Sequence, residues 1–71
     1  MTGADLRAIR QKLGLTPDEF GRALGYRGPS ARVTVHQLET GKTITRQVER
    51  LAEMFARHGV PRRYLADHHS A

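Results

Sequence analysis

Between positions 32 and 37 stand Arg32, Val33, His36 and Gln37, whose side chains suit recognition better than reaction. A guanidinium presents a planar fork of donors, a carboxamide sets a donor beside an acceptor, and an imidazole can supply either. Such groups can reach base edges. An arginine fork matches guanine O6 and N7, a glutamine can read adenine, and a valine can meet a thymine methyl. The blander alternatives are solvated polar residues and a valine that extends the core. Catalysis needs a nucleophile, a base and an orienting group that converge in a pocket. No such cluster is visible, so an enzyme is the weakest reading. The four histidines, His36, His58, His68 and His69, show no ligand spacing that includes a carboxylate. No metal or other cofactor is expected, and His68-His69 reads as part of a solvated tail.

The elements that would carry these side chains are helices. Ser30 can cap a helix running to Thr40, with Val35 and Leu38 turned inward together with Ala31. Arg32, Val33, His36 and Gln37 then fall on the opposite side, Thr34 lies between the two faces, and Gly41 ends the helix. The preceding helix is the best signalled. Thr16 caps it, Pro17 suits its first position, Glu19 completes a capping box, and Gly25 stops it after two turns. Phe20 and Leu24 face the core. Gly21 sits inside this helix at a cost of about 1 kcal/mol relative to alanine, which close approach of another helix would justify. Tyr26 to Pro29 form the connection.

Thr2 to Leu13 reads as the first helix, with Asp5 in its first turn, Leu6, Ile9 and Leu13 on one face, and Gly14 as its stop. Thr45 to His58 is the longest. Val48, Leu51, Ala52 and Phe55 make its stripe, with Ile44 leading in and Gly59 following. Pro61 opens a short final turn with Tyr64 and Leu65. The fold class is all-α, a bundle of four helices plus a short C-terminal fifth. Residues 1–66 are expected to form one domain and 67–71 a frayed tail.

A chain of 71 residues holds a single thin core and often gains stability from a partner subunit. Without cysteine it can have neither a disulfide nor a cysteine zinc site. No apolar run is long enough to span a membrane and no signal-peptide pattern opens the chain, so a cytoplasmic protein is the expectation. The net charge of +5 and a sequence pI near 10.8 favour polyanionic partners. Most of this charge is arginine, which suits phosphate and guanine; coding bias is the alternative explanation.

Lys12-Leu13-Gly14-Leu15-Thr16, then Glu19-Phe20-Gly21 and Leu24-Gly25, resembles the first two helices and turn of the Cro/cI-type (XRE) helix-turn-helix family. Gln37-Leu38-Glu39-Thr40-Gly41-Lys42-Thr43 is similar to the end of the recognition helix in lambdoid repressors. The likeness covers residues 4–58. There are two departures. The segment between Gly25 and Arg32 is longer than the family's turn. Pro17 replaces a phosphate-contacting glutamine, which leaves that contact to a neighbour such as Arg22 or Arg27.

The resemblance implies a lambda-repressor-like fold that binds double-stranded DNA, with Arg32, Val33, His36 and Gln37 at base edges. It puts Arg27, Ser30, Thr34, Lys42, Thr43 and Arg46 near backbone phosphates. It also implies a structural ion pair between Arg10 and Glu39. A repressor acting as a homodimer on an inverted repeat follows from the few base pairs that one helix can read. Its dimer surface is expected at Phe55, Val60, Tyr64 and Leu65, where the last three have little core left to join. The alternative is an antitoxin or other interaction module of the same fold, with a toxin or another regulator as its protein partner.

Overall fold

A computed structural model of the chain describes residues 1–65. Residue 66, the expected tail at 67–71, and with it His68 and His69, lie outside the described residues. Five helices follow in order: α1 (Gly3–Lys12), α2 (Pro17–Ala23), α3 (Ser30–Thr40), α4 (Arg46–His58) and α5 (Arg62–Leu65). There is no strand among the described residues.

Local chemistry sets most of these boundaries. Thr2 and Asp5 form a reciprocal capping box at α1, and Thr16 and Glu19 form another at α2 with Pro17 as first helical residue. Each box satisfies two amides that the helix itself leaves without acceptors. Thr45 caps α4 by accepting from the Val48 amide at 3.2 Å. Glycines take positive φ just beyond the first four helices, at Gly14, Gly25, Gly41 and Gly59.

Helix α3 begins differently from the expectation. Ser30 is not its cap. The cap position is Pro29, already in helical conformation at φ −61° and ψ −24°, and no side chain caps the helix. The Ser30 hydroxyl instead donates backwards to the Arg27 carbonyl at 2.7 Å. Proline has no N–H and fixes φ near the helical value, so the turn runs into α3 without a bonded cap.

The core joins all four long helices. Leu6, Phe20, Val35, Ala52 and Phe55 are completely buried, with Ala23, Leu24, Leu38 and Val48 beside them. Ile9, Leu13, Leu15, Ile44 and Leu51 pack around this cluster as half-buried residues. Full burial of a leucine or phenylalanine contributes about 1.5–3 kcal/mol, so these few side chains supply most of the driving force in so thin a core.

Two glycines set the helix spacing. A Cβ on Gly21 would lie 2.6 Å from the Ala31 carbonyl oxygen, so α2 rests almost backbone to backbone on α3. The mid-helix glycine is thus explained by close approach. Gly3 plays the same part at the other end of α3, where a Cβ would meet the Glu39 carbonyl oxygen at 2.4 Å.

Candidate nucleic-acid interface

The eleven residues of α3 divide cleanly between two faces. Ala31, Val35 and Leu38 are buried against the core, while Arg32, Val33, His36 and Gln37 are exposed. Val33 is half exposed, at 50%, which removes it from the core and leaves an apolar side chain within a polar face. Thr34 is half-buried at the edge. The end of the helix is closed by its own groups. The Thr40 hydroxyl donates to the His36 carbonyl at 2.7 Å, and the Lys42 amide donates to the Gln37 carbonyl at 2.9 Å.

The exposed face of α3, together with α1 and the start of α2, lines a groove of about 480 Å³. Arg7, Arg10, Pro17, Arg32, Val33, His36, Glu39 and Thr40 line it. Arg10 and Glu39 form the ion pair implied by the resemblance. The Arg10 Nε donates to Glu39 Oε2 at 2.7 Å and its Nη2 to Oε1 at 3.3 Å, while Nη1 donates to the Leu15 carbonyl at 3.1 Å. Both side chains are nearly buried, at 12% and 8% exposure. The pair thus ties α1 to α3 and cancels its own charge, leaving Arg7 and Arg32 to set the sign of the groove. A concave surface with net positive charge attracts and concentrates anions.

Further cations flank α3. Arg27 is exposed in the turn before it, and Lys42 and Arg46 are exposed after it, with the neutral Thr43 exposed between them. The Ser30 hydroxyl is engaged with the Arg27 carbonyl, so its proton is already placed. Arg22 is not available to replace the donor missing at Pro17. It pairs with Asp18, and its Nε donates to the Leu65 carbonyl at 3.0 Å, which directs it toward α5. Arg7 lines the same groove as Pro17 and is exposed. Sequence reasoning passed over it, although its spacing of three from Arg10 puts both on one face of α1.

The expected dimer surface also needs correction. Phe55 is completely buried and presents nothing to a partner. Val60 and Leu65 pack against the core cluster, and the Tyr64 ring meets Phe55 edge-on at 6.2 Å between centroids. These residues therefore do find core to join, because α5 folds back onto the bundle. Tyr64 keeps 38% of its surface and Met54 on α4 keeps 45%.

This arrangement, a short capped helix held backbone-close to a second helix with a free polar face, is that of a helix-turn-helix. A family model described as a helix-turn-helix domain matches residues 3–65, and the chain belongs to that family. The match is consistent with the Cro/cI-type resemblance. No curated protein and no solved structure matches the chain. Among the described residues no helix is long and apolar enough to cross a membrane.

Proposed function

We propose that this protein is a sequence-specific DNA-binding transcriptional regulator, a homodimeric repressor that reads an inverted repeat through the major groove. The observation that carries the reading is the division of α3, with Arg32, Val33, His36 and Gln37 free on one side and the core residues on the other. Arg32 is assigned to guanine, Gln37 to adenine and Val33 to a thymine methyl, with His36 between them. Arg27, Thr34, Lys42, Thr43 and Arg46 are assigned to the phosphate backbone on either side, and Ser30 joins them when its hydroxyl turns from the Arg27 carbonyl. The protein acts in the cytoplasm on its DNA target and has no catalytic role.

One recognition helix touches too few base pairs to select a site in a genome, so two copies act on half-sites about one helical turn apart. The dimer surface is assigned to the exposed part of Tyr64, with Val60 and Leu65 at its edge. Sedimentation at micromolar concentration tests this, and a monomer there argues against it.

The test of function is binding to the DNA upstream of the protein's own gene, by fluorescence anisotropy at several salt concentrations, with a scrambled duplex as control. Preferential binding to the native duplex is expected. Arg32→Ala should lose about 1–3 kcal/mol of discrimination. Equal, steeply salt-dependent binding to both duplexes would reduce the protein to a basic surface and sink the assignment.

A further inference from the structure

We propose that Arg7 is a backbone-gripping residue, holding a DNA phosphodiester at the mouth of the groove between α1 and α3. The proposal rests on the DNA-binding reading and adds a residue to it.

Pro17 lies on the groove wall with neither an N–H nor a side-chain donor, so the start of α2 can offer a phosphate nothing through that residue. Of the three arginines that line the groove, Arg10 has its Nε and both terminal nitrogens committed to Glu39 and Leu15. Glu39, the one acid in the lining, is occupied by Arg10 and repels no anion on balance. Arg32 stands on the exposed face of α3, where it is assigned to a base. That leaves Arg7, which is exposed and has no ion pair or hydrogen bond among the described residues.

Its position suits the role. Arg7 lines the same groove as Arg32, Val33 and His36, but from α1 rather than α3. When the α3 residues face bases in the groove of a duplex, a donor on the neighbouring helix faces the phosphate strand that borders that groove. An arginine fork can hold two phosphate oxygens at once with charge-assisted bonds. A partnerless arginine on a concave wall also spends no existing bond in making this contact.

The proposal can be tested on a mixed-sequence duplex, because a phosphate contact carries no sequence information. Each phosphate neutralised contributes about 0.9 to the slope of log affinity against log salt. Arg7→Ala should therefore flatten the slope by about 0.9, and at 0.1 M salt the affinity should fall about eightfold, the factor that slope gives over one decade of salt. Arg7→Lys should keep the slope, since the charge remains. Arg57→Ala removes the same charge from the last turn of α4, outside the groove lining, and should leave the slope near that of the wild type. A melting curve confirms that each variant folds, as expected for exposed positions.

An unchanged slope and affinity in Arg7→Ala, with the wild type binding normally, overturns the role of Arg7 and leaves DNA binding intact. An equal loss in Arg57→Ala also overturns it, because net charge alone would then account for the effect. If the folded wild type binds no duplex at all, the DNA-binding reading fails and the role of Arg7 falls with it.

Discussion

Replacing Gly21 by alanine sets a local gain against a tertiary cost, and the geometry decides between them. Inside a helix, alanine is favoured over glycine by about 1 kcal/mol. The new methyl, however, would lie 2.6 Å from the Ala31 carbonyl oxygen and 2.8 Å from both its carbonyl carbon and its Cβ. Ordinary contact between such atoms is about 3.5–4 Å, so α2 and α3 must part by roughly 1 Å at this point. Neither side can yield by turning a flexible side chain, because the obstacles are main-chain atoms and a Cβ. Overpacking of this kind costs about 1–3 kcal/mol, and the rigid obstacle puts Gly21 toward the upper end. The net expectation is destabilisation by about 1–2 kcal/mol. For a domain of this size that lowers the melting temperature by roughly 4–16 °C. Thermal melting followed by circular dichroism reads the shift directly. A variant as stable as the wild type, or more stable, would refute the reasoning, since α2 and α3 would then not be held at backbone contact.

Other changes test other joints. Glu39→Gln keeps one acceptor for Arg10 but removes the compensating charge from a nearly buried pair, and should cost about 3 kcal/mol; an unchanged melting temperature would show that the pair is not structural. Phe20→Ala empties a fully buried position and should cost about 3–5 kcal/mol, read as a shift in urea midpoint. Thr16→Ala removes one half of a capping box and should cost about 1 kcal/mol, whereas Thr16→Ser should restore nearly all of it. The pH dependence follows from three groups. The hydrogen bond that the Thr2 amide donates to the Asp5 carboxylate, with the Thr2 side chain beside it, holds that carboxyl below its ordinary 3.8. The hydrogen bond from the Met1 ammonium, reinforced by its charge, holds Glu49 below 4.5, and the same bond raises the ammonium above 8.0. Stability from the two carboxylates is present above their ordinary values and is lost as pH falls through the lowered ones. Stability from the ammonium is present below 8.0 and is lost as pH rises through its raised value. Glu49→Gln should shrink the alkaline decline in urea midpoint, leaving only the smaller pull of Asp5 and Glu53 on the ammonium, and spare the part of the acid decline due to Asp5. An alkaline decline identical in variant and wild type would contradict this assignment.

What could be read from the sequence was what local chemistry determines. The capping box at Thr16 needs only residues three apart, so it shows in the chain itself, and so does the apolar rhythm that buries Val35 and Leu38 and frees Arg32 and Gln37; at Thr2 the cap was legible and the reciprocal bond of Asp5 was not. The glycine at position 21 announced a close approach, because no other reason fits its place inside a helix. The start of α3 was harder. Ser30 has the side chain of a cap, and nothing in its type reveals that Pro29 is already helical and that the hydroxyl turns back to Arg27. Distant juxtapositions were not legible from the residues themselves; the Arg10–Glu39 pair was reached only through the family resemblance. That Arg22 reaches across to Leu65, and that Tyr64 meets Phe55, depends on where α5 lands. Likewise Arg7 gains its meaning only when α1 is laid beside α3.

The bond from Arg22 to Leu65 carries a consequence for how such a protein can diverge. Its acceptor is a main-chain carbonyl, which every residue possesses, so no substitution at position 65 deletes the acceptor itself. The exposed positions of α5 can therefore change while this bond to α2 stays, provided the side chains that pack on the core, Tyr64 and Leu65, are kept. The recognition face of α3 is equally independent, because the residues that face outward are not those that hold the bundle together. The two surfaces can thus change separately within one small chain. Arg22 is the joint they share, since a substitution there removes the side-chain tie from α2 to the main chain of α5 and leaves α5 to its core packing alone.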